Sequence, residues 1–283
     1  MHIAVTGAAG KLGRAVVEDL RRAGHVVFAL DRIRFPDTAA ESTVIDMTDY
    51  GQVVEAFTGV DARPRGIDAV VHLAAIPGPG LAANAALFTN NITSTYNVFS
   101  AARLAGITTI VWASSETVLG IPFETAPPYL PVDEEYAARP ESSYSLGKAL
   151  EETMAEHFAR WTPDLSIIGL RFSNVMDDSD YPGFETWQDD PDTRSWNLWG
   201  YIDARDGARA VRLAVESDRK GADTFIIAAA DTVMRRPTSE LITGRLASVE
   251  RWSGLEGRAS LLSTGKARRV LGYVPQVSWL DRI

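Results

Sequence analysis

The chain of 283 residues contains no cysteine, which excludes disulfides, thiol nucleophiles and thiolate metal ligands. Histidine is scarce as well. The four histidines, His2, His25, His72 and His157, are scattered without metal-ligand spacing, so no metal is expected. No apolar run approaches membrane-spanning length, and a strand that begins at His2 leaves no room for a cleavable leader, so a cytoplasmic location is expected. Positive charge is in deficit: 28 Lys and Arg against 37 Asp and Glu give a net charge of -9. Such a surface argues against nucleic acid or an anionic membrane as the main partner and leaves a small-molecule substrate. Internal repeats and low-complexity linkers are also missing.

Glycine, by contrast, is concentrated at the start. The apolar run His2-Ile3-Ala4-Val5-Thr6 breaks at Gly7-Ala8-Ala9-Gly10-Lys11-Leu12-Gly13, and helical periodicity runs from Lys11 to Ala23, closed by Gly24. Gly7, Gly10 and Gly13 let the backbone turn tightly, approach a pyrophosphate and pack helix on strand, while the helix amides at Lys11 and Leu12 hold phosphate. The spacing is G-x-x-G-x-x-G rather than G-x-G-x-x-G, and glycine also serves ordinary turns. A second apolar run, Val26 to Leu30, ends in Asp31, where an acid accepts both adenosine ribose hydroxyls and repels a 2′-phosphate. This favours NAD. Arg32 and Arg34 keep NADP open, because arginines there pair with the extra phosphate.

Further along, Thr43-Val44-Ile45 reads as a third strand ending at Asp46-Met47, both expected beside the adenine, with Thr48 capping the helix over Gln52 to Phe57. Asp68 to Ala75 is a buried strand whose end, Leu73-Ala74-Ala75, would border the cofactor, with His72 a satisfied core histidine. A helix from about Asn84 to Ala105 leads into the apolar strand Ile107 to Ala113. This alternation predicts an α/β fold, a Rossmann-type doubly wound parallel sheet, in which the strand-end residues Ser114, Ser115, Glu116 and Thr117 sit where ligands bind. A loop rich in proline and acids, Pro122 to Pro140, precedes a strong helix from Ser142 to Trp161.

That helix carries Tyr144 and Lys148 four residues apart on one face. A nearby ammonium favours phenolate, so the tyrosine can remove a hydroxyl proton near neutral pH, and the lysine can also hold a ribose. Two solvated side chains on a helix would show the same spacing.

In this order the chain resembles the extended short-chain dehydrogenase/reductase family, the NAD-dependent epimerase/dehydratase group. The resemblance rests on T-G-A-A-G-K-L-G at 6–13, Asp31, H-L-A-A at 72–75, N-N-I-T-S-T at 90–95, A-S-S-E-T-V-L-G at 113–120, Y-S-L-G-K at 144–148 and L-R-F-S-N-V at 170–175. It implies that Ser115 joins Tyr144 and Lys148 as the catalytic set, with Ser114 the alternative. It also implies Asn91 as a cofactor residue, Asn174 as a substrate residue, and a homodimer through the helices 84–105 and 142–161. Ser94 replaces the glycine usual beyond Asn91.

Residues 1–171 are expected to form the cofactor-binding core and 172–283 mainly the substrate region, with a last core strand near 224–229. Asp177 to Tyr201 contains Tyr181, Phe184, Trp187, Trp196, Trp199 and Tyr201. They read either as a wall for a sugar ring or as a hydrophobic cluster or subunit contact. Arg194 is a candidate carboxylate or phosphate clamp. The run 194–199 resembles uronate dehydrogenases, which implies that Arg194 faces a sugar carboxylate, with Trp199 beside it. Sugar-nucleotide epimerases carry Arg-Asp where this chain has Trp199-Gly200. Asp203 to Ser217 reads as an amphipathic helix, with Asp206 a helix-start or packing acid, and Thr238 and Ser263 to Leu271 mark two more helices. The expected chemistry is NAD-dependent redox at a secondary alcohol or hemiacetal carbon of a sugar-like molecule. A sugar epimerase or dehydratase, or a cofactor-sensing module, are the alternatives.

Overall fold

A computed structural model describes residues 1–36, 40–59, 66–123, 125–252 and 254–282, with the side chain of Arg245 left aside. The chain begins with β1 (His2–Thr6), α1 (Lys11–Arg22), β2 (Val26–Asp31), β3 (Glu41–Val44) and α2 (Tyr50–Thr58). There follow β4 (Ala69–His72), α3 (Asn84–Leu104), β5 (Thr109–Ser115), the short β6 (Tyr129–Leu130) and α4 (Ser143–Trp161). The second half contributes β7 (Ser166–Phe172), β8 (Val175–Met176), α5 (Tyr181–Phe184), β9 (Ile202–Asp203), α6 (Ala204–Val215), β10 (Gly221–Ile227), α7 (Thr238–Leu241), β11 (Glu250–Arg251) and α8 (Gly265–Leu271).

Seven strands pair in the order β10-β7-β5-β4-β1-β2-β3, all parallel. Buried on both faces, the central strands send alternate residues to opposite layers. Ile3 and Val5 pack with Val16, Val17 and Leu20 of α1 and Val211 of α6, whereas Ala4 joins the layer of Val53 of α2, Phe99 of α3 and Phe158 of α4. The order of neighbours reverses between β1 and β4, and strand ends diverge there to leave a crevice.

A third apolar cluster combines Val118, Leu119, Phe123 and Leu130 with Tyr181, Phe184, Trp199, Tyr201, Met234 and Trp279. Residues from both sides of position 171 thus share one core, while α6 and α8 pack on the main sheet.

Some helix starts differ from expectation. Asp49, not Thr48, caps α2 by accepting from Gln52 N, because Thr48 itself bonds Asp46 Oδ1. Ser142 caps α4 and forms a capping box with Ser145. The Thr238 hydroxyl does not cap α7 but donates to Ala259 O at 2.7 Å. Asp206 is buried and takes hydrogen bonds from Gln276 N and Val277 N, so it fastens the C-terminal segment to α6.

Candidate active site

The carboxyl ends of β1, β2, β4 and β5 open onto one cavity of about 1070 Å³. Its floor is the glycine turn. Gly7 has φ +67°, and a Cβ there would come within 2.6 Å of Ala74 N. At Gly13 a Cβ would lie 2.1 Å from Gly7 O, so α1 can start this close to β1 only without a side chain. No side chain caps α1 at Gly10, which leaves the amides of its first turn to meet phosphate. Asp31, at the end of β2, accepts from Ala9 N at 2.9 Å and is thereby fixed at the cavity edge. This cradle fits a dinucleotide: close backbone, a free helix start and an acid at the ribose distance.

Gly7, Gly10, Lys11, Leu12, Gly13, Asp31, Arg32, Met47, Leu73, Ala74 and Ala75 all line the cavity. Asp46 and Asn91 do not. Asp46 turns its carboxylate to Thr48, which holds its pKa below the usual carboxylate range. Asn91 is buried and clasps Ile76 through both its N–H and C=O, at 2.8 and 3.0 Å. It shapes the cavity wall through Ile76 without reaching the cavity itself. His72, buried between the hydroxyls of Thr6 and Thr95, is a satisfied core histidine whose pKa burial pushes down to about 3.

At the other end of the cavity lie Ser115, Tyr144 and Lys148. The two serines that end β5 are separated by their partners. Ser114 donates to Glu152 at 2.6 Å, and Glu152 forms a two-pronged pair with Arg171, so Ser114 belongs to a structural network. Ser115 Oγ instead accepts from Thr117 N and Thr117 Oγ1, at 3.2 and 3.0 Å, which leaves its own proton to donate. Burial raises the Tyr144 pKa, against the pull of the Lys148 charge and of a hydrogen bond with Ser115. Lys148 Nζ sits 6.0 Å from the Tyr144 ring centre and donates to Ala113 O at 2.8 Å and to the buried Glu151 at 2.9 Å. Burial works against the Lys148 charge, but Glu151, Tyr144 and Glu152 together more than restore it, so its pKa is raised.

Glu116 and Thr117, next on the chain, line the same end with Ser173 and Asn174. The expected substrate residues Arg194 and Trp199 do not line it. Arg194 is buried behind the wall, its guanidinium lying over the rings of Trp187 and Trp196 at 4.5 and 5.2 Å from their centres. Trp199 turns inward, and its indole N–H donates to Pro191 O at 2.7 Å. Of the aromatic segment only Trp196 reaches the cavity; Tyr181, Phe184, Trp199 and Tyr201 belong to the third core cluster. Trp196 thus takes the wall position expected of the aromatic segment, and Ser173, inside the motif at 170–175, is a cavity residue that the sequence did not single out. Glu151 was equally readable, three residues after Lys148 on α4.

Residues 3–186 match the NAD dependent epimerase/dehydratase family. The chain belongs to that family and is an NAD-dependent enzyme of the extended short-chain dehydrogenase type. An L-arabinose 1-dehydrogenase (NAD(P)+) of Haloferax volcanii is 37% identical over 183 residues, which are 62% of this chain and 67% of that protein. A uronate dehydrogenase of Pseudomonas syringae pv. tomato is 25% identical over 157 residues, 56% of this chain and 54% of that protein. A UDP-glucose 4-epimerase of Thermotoga maritima, solved with UDP-glucose, shares the fold with a TM-score of 0.75, covering 100% of this chain and 96% of that one at 23% identity.

Proposed function

We propose that this protein is an NAD-dependent dehydrogenase that oxidises a secondary alcohol or hemiacetal carbon of a sugar. The observation that carries this reading is the meeting, in one cavity, of the glycine cradle with Ser115, Tyr144 and Lys148. The cradle residues Gly7, Gly10 and Gly13 would hold the pyrophosphate and Asp31 the adenosine ribose. NAD, when bound, supplies the acceptor for the hydride that leaves the sugar carbon as its C–OH becomes C=O. Tyr144 takes the hydroxyl proton; Lys148 keeps a positive charge beside it and so makes that transfer accessible. Ser115 donates its proton to the substrate oxygen and steadies charge that develops there. Arg32 is committed to Asn90 at 2.6 Å, which supports NAD over NADP at Asp31. The arabinose and uronate dehydrogenases among the relatives support a sugar as substrate.

Incubation with NAD and a panel of sugars and uronates tests this. Stoichiometric NADH is expected. An isomerised sugar without net NADH would establish the epimerase reading instead, and NAD binding with turnover of nothing would point to a sensing module. The face of α3 and α4 that exposes Tyr96, Leu104, Leu146 and Leu150 supports a homodimer, which sedimentation would detect.

A further inference from the structure

Glu116 is the one carboxylate that the substrate end of the cavity presents beside Ser115 and Tyr144 among the described residues. It is 3% exposed. Its Oε1 accepts from Asn197 Nδ2 at 3.1 Å, and the Ser173 hydroxyl and the Asn174 amide also face its carboxyl and favour its charged form. Behind it lies Arg194, 5% exposed, whose Nη2 reaches only Gly200 O at 3.3 Å and whose Nε has no partner. Asn197 and Gly200 tie the two together, since Asn197 Nδ2 also donates to Gly200 O at 2.9 Å. Arg194 therefore has its counter-charge inside the protein. The Glu116 charge favours the Arg194 guanidinium, although burial still holds the Arg194 pKa below its ordinary value.

The cations on the cavity wall are likewise committed. Lys148 is held by Glu151, Lys11 by Asp180, and Arg32 lies with Asn90 at the Asp31 end. No unpaired cation faces Ser115 and Tyr144 among the described residues. A carboxylate or phosphate placed there would lose its hydration and meet the charge of Glu116, while the charge of Lys148 is already offset by Glu151.

We propose that Glu116 makes this site select an uncharged sugar over the corresponding uronate or sugar phosphate, by supplying within the protein the anion that Arg194 would otherwise seek in a substrate. The inference rests on the dehydrogenase reading for the identity of the site, but it concerns binding. Burial pushes the Glu116 carboxyl up to about 7, so the discrimination is fullest on the alkaline side of that value.

The test measures ligand binding to the full-length enzyme loaded with NAD, by thermal shift, for D-galactose, D-galacturonate and D-galactose 6-phosphate. The expected result is that galactose binds at least tenfold more tightly than either anion. Glu116→Gln should shrink that ratio by tenfold or more, chiefly through tighter galacturonate, whereas Glu116→Asp should retain it. A merely structural role would move all three ligands together. Should Glu116→Gln fail to fold, the wild-type ratio and Glu116→Asp still decide. Equal or tighter binding of either anion by the wild type, an unchanged ratio in Glu116→Gln, or binding of none of the three overturns the proposal. Galactose binding with the expected ratio but without NADH formation from any sugar of the panel would leave the selectivity standing and sink the dehydrogenase reading alone.

Discussion

The two ends of the cavity are built by different means. The cofactor end is made of consecutive residues: one turn of backbone between β1 and α1, with Asp31 a strand away and fixed by Ala9 N. The Ser115 end is assembled from distant segments, with Glu116 on the turn after β5, Ser173 and Asn174 after β7, and Asn197 and Arg194 from an irregular stretch. The first depends on where side chains are absent, the second on which buried charges find each other. Substitutions should therefore act differently at each end.

The largest effect belongs where the ends meet. Tyr144→Phe removes the proton acceptor and should lower kcat by about 10²–10⁴-fold while NAD affinity is retained. Steady-state rates with parallel NAD titration check this, and loss of both together would mean that the two ends are not separable. Next is Gly13→Ala, whose Cβ would lie 2.1 Å from Gly7 O. We expect NAD binding to collapse and stability to fall by about 1–3 kcal/mol, the usual cost of overpacking. Titration calorimetry and thermal melts read both, and unimpaired NAD affinity would contradict the cradle.

At the opposite end, Glu116 links charge to stability. Its folded pKa of about 7 lies above its ordinary value of 4.5, so the folded form holds a proton that the unfolded chain has already released in that window. Its contribution is complete below pH 4.5 and is lost as pH rises through 7, a difference of about 3 kcal/mol at 1.36 kcal/mol per pH unit. Denaturant melts across this range should show Glu116→Gln gaining on the wild type as pH rises. A parallel pair of curves would mean that the carboxyl is not buried with its charge. The smallest change is expected from Glu151→Gln. The negative charge of Glu151 raises the Tyr144 pKa, so with Lys148 still charged its removal should move the acid limb of the kcat/KM profile to lower pH. Movement to higher pH would show that Glu151 acts mainly by keeping Lys148 protonated.

The same contrast explains what could be read from the residues alone. Strand order, the glycine turn and the Tyr144–Lys148 pair depend on periodicity and short spacing, so they were legible. Ser115 and Ser114 could not be told apart locally; Glu152 and Arg171, folded in from α4 and β7, claim Ser114 and release Ser115. Arg194 and Trp199 were expected to meet substrate because a planar guanidinium suits a carboxylate and the run 194–199 resembles uronate dehydrogenases. Instead Leu198 and Trp199 adopt φ of 55° and 56° and turn the chain, and Trp199 packs into the third core cluster while Arg194 is sealed behind Trp196 and Glu116. Asn91 likewise looked like a ligand residue, yet its amide is consumed by Ile76. In each case a long-range partner decided the role, and no local pattern encodes that partner.

The most direct test follows the hydride itself. A sugar that the enzyme turns over, deuterated at every ring carbon, is incubated with NAD, and the nicotinamide is examined by mass spectrometry. Net oxidation predicts one deuterium in the reduced cofactor for each sugar oxidised, released into solution. Deuterium returned to the sugar, with no labelled cofactor accumulating, would contradict the dehydrogenase account.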